Sequence, residues 1–183
     1  LEELCRSGFA PAETEEEADV VILNSCTVTA ASDQKMRKLL HRARRKNPQA
    51  LLVLTGCMPQ AFPEEAAKLP EPDLVLGTSN RKELVPSVLK ALENRRREVK
   101  IRPYTGKDSF ESLQIHSFQE RTRAFLKIQD GCNRFCSYCI IPFPGKSAVK
   151  ALGRAYPGGP DSGGVRLPGN CSHRNQSVLL RTG

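Results

Sequence analysis

Residues 18–26 read Ala18-Asp19-Val20-Val21-Ile22-Leu23-Asn24-Ser25-Cys26, and residues 51–57 read Leu51-Leu52-Val53-Leu54-Thr55-Gly56-Cys57. Each is a run of four aliphatic residues, then two small or polar residues, then a cysteine. A continuous apolar run without polar alternation is how a strand buried on both faces reads, as in a parallel sheet. Asp73-Leu74-Val75-Leu76 is a third such run. Between the first two, Met36, Leu39, Leu40 and Ala43 recur at helical spacing and predict a helix over 32–46, ended by Asn47-Pro48. Residues 63–69 predict a short helix. Asn80 is expected to cap another running to about residue 97, with Leu84, Val85, Val88, Leu89 and Leu92 inward. The opening residues 1–8 resemble the last turns of an amphipathic helix stopped at Gly8, so the chain is expected to begin within an element. Strands alternating with helices predict an open α/β domain over 1–97 with a parallel sheet and right-handed crossovers.

The segment 98–121 is polar and reads as a linker; residues 122–129 restart as a strand. A chain of 183 residues with 39% hydrophobic and 26% charged content can bury a core and excludes wholesale disorder. Its apolar runs fall far short of the roughly 20 residues a membrane helix needs. No export signal is legible, so a cytoplasmic location is expected. The net charge of +8 is unevenly placed: residues 1–142 hold 22 basic and 19 acidic residues, whereas residues 143–183 hold six basic and one acidic. The cations of 35–46, with no acid among them, suit either a phosphate backbone or a solvated helix face. Arg95-Arg96-Arg97 fits the negative pole of a helix end.

Seven cysteines, an odd number without an export signal, point to metal or redox chemistry rather than a disulfide framework. Cys132-Asn-Arg-Phe-Cys136-Ser-Tyr-Cys139 places three thiols within eight residues, a CxxxCxxC. Three thiolates on one loop suit a four-iron cluster with one iron left open for a further ligand. Structural zinc prefers four ligands in separated pairs, and a dithiol redox site needs no third thiol; both remain alternatives. Cys26 and Cys57 each follow a buried strand, so both are expected at the crevice formed by the strands' carboxyl ends, as ligands or as small buried side chains. Cys5 has only the second reading.

Together these motifs resemble the radical S-adenosylmethionine methylthiotransferases, through Asn24-Ser-Cys-Thr-Val-Thr29, Ser32-Asp33, Thr55-Gly-Cys57, Val75-Leu-Gly77 and the block 123–142 around the three thiols. The resemblance covers residues 1–142 and is closest to the threonylcarbamoyladenosine branch. It implies that Cys132, Cys136 and Cys139 hold a 4Fe-4S cluster binding S-adenosylmethionine, which one electron cleaves to a 5′-deoxyadenosyl radical. Tyr138 would pack beside the cofactor's adenine. Cys26 and Cys57 would hold a second, auxiliary 4Fe-4S cluster whose third cysteine follows a strand upstream of Leu1. Residues 122–142 would begin a radical-enzyme (β/α) barrel. The implied reaction is methylthiolation at C2 of N6-threonylcarbamoyladenosine beside the tRNA anticodon, with tRNA, a flavodoxin-like or equivalent electron donor and a sulfur donor as partners. The alternatives are the sibling activities on isopentenyladenosine in tRNA or on a ribosomal protein, and a zinc-stabilised, non-enzymatic RNA-binding module.

The resemblance stops at Phe143, where the composition turns rich in Gly, Pro, Arg and Ser. Read from the second base of each codon, with permitted codon choices, residues from Lys146 onward give a string with leucine periodicity and a buried strand ending in Thr-Gly. Residues 143–183 are therefore expected to be an out-of-frame, disordered tail in which Cys171 and His173 carry no function, and the chain alone is expected to be inactive.

Overall fold

The computed structural model describes residues 2–26, 29–104, 129–132, 134–142, 148–149 and 176–182. The aliphatic runs form β2 (Val20–Ser25), β3 (Leu51–Gly56) and β4 (Leu74–Leu76), paired in parallel as expected. Preceding them are α1 (Glu2–Arg6) and β1 (Phe9–Pro11). Helix α2 (Ala30–Lys46) links β2 to β3; α3 (Cys57–Ala61) and α4 (Pro63–Lys68) lead towards β4. A 3₁₀ segment (Thr78–Glu83) and α5 (Leu84–Asn94) then lead to β5 (Glu98–Lys100), which pairs in parallel with β4. Beyond lie β6 (Gln129–Asp130) and β7 (Ala148–Val149), paired antiparallel, and β8 (Gln176–Thr182).

Strand residues alternate between two apolar layers, because successive side chains leave a strand on opposite faces. Val21, Leu23, Leu52, Leu54 and Val75 pack with Met36, Leu40 and Ala43 of α2 and with Met58 and Ala66 of α3 and α4. Val20, Ile22, Leu51, Val53, Leu74 and Leu76 pack with Val85, Val88 and Ala91 of α5. The sheet is thus covered on both faces, which is why its strands read as unbroken apolar runs. Arg44 anchors the end of α2: its guanidinium donates to the carbonyls of Pro48 (2.9 Å), Ala50 (3.0 Å) and Glu71 (2.7 Å) and to Asp73 Oδ2 (2.6 Å). That same carboxylate oxygen accepts from the Leu52 amide at 2.8 Å.

The structure departs from the sequence expectations at four places. Leu89, expected inward on α5, is 41% exposed, because it lies at the rim of the stripe that Val85, Val88 and Ala91 bury. Asn80 does not cap the helix; it sits in the 3₁₀ segment with non-helical angles, and the α-helix starts at Leu84. The sheet continues through β5 into residues assigned to the linker, because β4 offers an open edge to Glu98–Lys100. Within the tail expected to be disordered, Gln176–Thr182 instead forms β8, lying antiparallel between β1 and β2 in the order β1-β8-β2-β3-β4-β5. The apolar run ending in Leu179-Leu180 explains it: Leu180 is fully buried in the α5-side layer, and the backbone groups of β8 find partners on both sides, in β1 and in β2. The restart expected at 122–129 lies outside the described residues except Gln129. Among the described residues no helix is long and apolar enough to cross a membrane.

Candidate functional site

The parallel register sets the first thiol pair. Ser25 pairs with Gly56, so Cys26 and Cys57 are the next residues on two adjacent strands, at the carboxyl edge of the sheet. Neighbouring strands run about 4.8 Å apart, and the two backbones leave the sheet side by side. Cys26 is buried, 3% exposed, and Cys57 half-buried; neither is in a disulfide.

Two neighbouring residues make this arrangement possible. Gly56 has φ +104° and ψ −158°, a conformation essentially reserved for glycine. A Cβ there would stand 2.3 Å from the Ser25 carbonyl oxygen and 2.6 Å from Asn24 Oδ1. The bare backbone lets β3 press against the end of β2 and turn at once into α3. Ser25 fastens that turn: its hydroxyl donates to the Thr55 carbonyl at 2.8 Å and accepts from the Met58 amide at 3.2 Å.

Polar side chains continue the same edge past β4. Gln60, buried on α3, accepts from the Ser79 amide (3.1 Å) and donates to the Arg102 carbonyl (3.0 Å). Thr78 Oγ1 and Tyr104 Oη lie 2.5 Å apart, and buried Asn80 donates to the Lys100 carbonyl at 3.3 Å. The sequence reading did not single out Gln60 or Thr78 and gave Asn80 a capping role. Their shared position depends on where β4 and β5 pass in space, and their only sequence signal is a polar residue amid buried neighbours.

The second thiol group is built differently. Gly131, at φ +75°, turns the chain out of β6. The Arg134 amide donates to Cys132 Sγ at 3.4 Å, and a turn closes where the Cys139 amide donates to the Cys136 carbonyl at 3.0 Å. Cys132 and Cys139 are half-buried and Cys136 is exposed. Phe135 and Tyr138, 73% and 90% exposed, project into solvent. Among the described residues, no three His, Cys, Asp or Glu side chains are gathered as a metal site, so the structure shows neither the loop trio converging nor a third ligand beside Cys26 and Cys57. Cys171 and His173 lie outside the described residues.

Fold and site together define a class: an open, mostly parallel α/β domain with thiols at the ends of adjacent strands, followed in the same chain by a CxxxCxxC loop. Residues 1–77 match the family described as Uncharacterized protein family UPF0004. The chain is 38% identical over 138 residues to the threonylcarbamoyladenosine tRNA methylthiotransferase MtaB of Aquifex aeolicus, covering 75% of this chain and 34% of that protein. Against the MtaB of Bacillus subtilis it is 38% identical over 137 residues, 75% of this chain and 30% of the relative. A tRNA-2-methylthio-N(6)-dimethylallyladenosine synthase of Pelotomaculum thermopropionicum is 34% identical over 142 residues, 74% of this chain and 32% of that protein. The chain therefore carries a UPF0004 domain and is methylthiotransferase-like over about three quarters of its length. It spans about a third of the length of these relatives.

Proposed function

We propose that the chain is part of a cytoplasmic tRNA methylthiotransferase that acts at C2 of N6-threonylcarbamoyladenosine by radical S-adenosylmethionine chemistry. The observation that supports this most is the union, in one methylthiotransferase-like chain, of strand-end Cys26 and Cys57 with the CxxxCxxC loop. The donor set fits a 4Fe-4S cluster: three thiols without disulfides share a short loop, and a backbone N–H already donates to one of the sulfurs. Cys132, Cys136 and Cys139 would hold that cluster, and Tyr138 would pack against the adenine of S-adenosylmethionine when the cofactor is bound. Cys26 and Cys57 supply two ligands of an auxiliary cluster. When bound, the loop cluster supplies one electron and an open coordination position for the cofactor. The protein's own contribution is to hold Cys26 and Cys57 at the sheet edge and to keep Cys26 away from water.

On this reading residues 122–142 open the radical-enzyme barrel and residues 143–183 are out of frame. Partners are tRNA, a one-electron donor and a sulfur donor, and turnover is expected of the longer protein rather than of these 183 residues. Anaerobic reconstitution of the chain with iron and sulfide tests the central step. The expected product has broad visible absorbance and about four irons at the loop site. Those irons should be lost in the variant Cys132→Ser/Cys136→Ser/Cys139→Ser while the circular dichroism stays unchanged. A colourless protein holding one zinc per chain would overturn the reading in favour of an RNA-binding module. Nucleoside mass spectrometry of tRNA treated with the longer protein decides the substrate: methylthio addition to isopentenyladenosine instead would move it to the sibling branch.

A further inference from the structure

The seven cations of α2 fall into two groups. Four face carboxylates. Arg37 meets Asp33 (3.0 Å) and Glu65 (3.6 Å), Arg42 meets Glu15, Arg44 meets Asp73 (2.6 Å), and Lys46 meets Glu16 (2.8 Å) and Glu15 (3.6 Å). The hydrogen bond from Lys46 holds the Glu16 carboxyl below its ordinary range, and the same bond raises Lys46. Lys35, Lys38 and Arg45 are exposed, and no ion pair engages them among the described residues.

At 3.6 residues per turn, these three fall within a sector of about 80°, roughly 150° from the face that buries Met36, Leu40 and Ala43. Like charges stacked along a helix repel one another, so the row is an electrostatic cost to the isolated domain. It begins in the first turns of α2, shortly after Cys26, and extends about 15 Å away from the carboxyl edge. A row of that length suits a chain of regularly spaced phosphates better than a single anion. A lipid surface would also want exposed apolar side chains beside the cations. Among the described residues the exposed large hydrophobic side chains are Phe62, Leu89, Val99, Phe135 and Tyr138, none of them on α2.

We infer that the Lys35–Lys38–Arg45 face of α2 is a docking surface for the phosphate backbone of RNA, leading the bound strand towards Cys26 and Cys57. This rests on the tRNA substrate proposed above and deepens it. The geometry assigns the three unpaired cations to counterion release, whereas the paired ones are already neutralised by carboxylates of α2 itself, of α4, of the loop before β2 and of Asp73 beside β4.

The test uses the whole 183-residue chain without iron, titrated with a labelled anticodon stem-loop RNA by fluorescence anisotropy across a salt series. Lys35→Ala/Lys38→Ala/Arg45→Ala should lower the slope of log K against log salt by about 2 and weaken binding at least tenfold near 0.1 M salt. Arg37→Gln, which removes a cation already paired, should leave the slope unchanged. The triple variant, whose three side chains are exposed and repel one another, should unfold at no lower urea concentration than the parent, which excludes a folding defect, and far-UV circular dichroism checks that Arg37→Gln is folded. An unchanged slope in the triple variant would overturn the inference. So would an equal loss in Arg37→Gln, or a loss seen with anionic vesicles or heparin but not with RNA. Because iron uptake reports on the thiols separately, a failed salt series with normal iron uptake removes the docking face and leaves the enzymatic reading standing.

Discussion

Cys26 and Cys57 are placed by the sheet, whereas Cys132, Cys136 and Cys139 are placed by the spacing of a loop. The first pair follows the register of two buried parallel strands, and Gly56 and Ser25 lock the turn that brings them side by side. The second group rides on a loop after a two-residue strand, held by a few local hydrogen bonds and flanked by solvent-facing aromatics. On the proposed reading, a ligand pair carried on buried strands is organised by the core before any metal arrives. A set carried on a short exposed loop leaves much of its ordering to the metal, so that binding and local folding become one event. Damage to the sheet should therefore hurt the pair and spare the trio, and damage to the loop should do the reverse.

The sharpest way to break this contrast is Gly56→Ala. The added Cβ collides with the backbone of Ser25, and the residue would have to hold a positive φ. The expected cost is on the order of 3–4 kcal/mol, measured as a shift of the urea transition. Alkylation of Cys26, slow in the parent because the thiol is buried, should accelerate in the variant, while that of exposed Cys136 stays as it was. A cost below about 1 kcal/mol would show that the strand ends are looser than the contact distances imply. Ser25→Ala probes the same turn more gently. It removes the bond to the Thr55 carbonyl and leaves the buried Met58 amide without its acceptor, for an expected loss of about 1–2 kcal/mol. Iron uptake at the loop should be unaffected by it.

The same contrast decides what could be read in the sequence. β2, β3 and β4 announce themselves because a strand covered on both faces must be apolar throughout. The core stripe of α2 announces itself through its helical spacing. The equivalent placement of Cys26 and Cys57 follows from their equivalent positions after such strands. β5 was hidden, since Glu98-Val99-Lys100 holds one apolar residue and owes its structure to the open edge of β4. β8 was hidden for a similar reason: Val178-Leu179-Leu180 is too short to stand out in a tail rich in Gly and Pro, and only the two strands flanking it make it one. Asn80 looked like a helix cap because local chemistry favours that role. Its place in the structure is set instead by the Lys100 carbonyl, twenty residues away. Spacing alone singled out the loop thiols as candidates, whereas the positions of Gln60 and Thr78 came from tertiary packing that no local pattern encodes.

The smallest effect sharpens the comparison from the far edge of the sheet. Glu98 on β5 meets Lys100 at 2.8 Å and Lys90 of α5 at 3.2 Å. The Lys100 hydrogen bond first, then that from Lys90, holds its carboxyl below the ordinary glutamate range. A carboxylate whose folded pKa is depressed stabilises the fold above its unfolded pKa and loses that contribution as pH falls through the folded value. The stability difference between the parent and Glu98→Gln should therefore be fully present above about pH 5 and disappear towards pH 3, as read from urea midpoints across that range. Because the group is only half-buried and its partners are flexible lysines, the difference should also shrink with added salt. The ion pair supports only the sheet, so the reactivity of the loop thiols towards alkylation, compared between the two proteins at one pH, should not change. A difference there would mean that the edge strand and the cysteine loop are mechanically coupled, and that the trio depends on the scaffold more than its exposed setting implies.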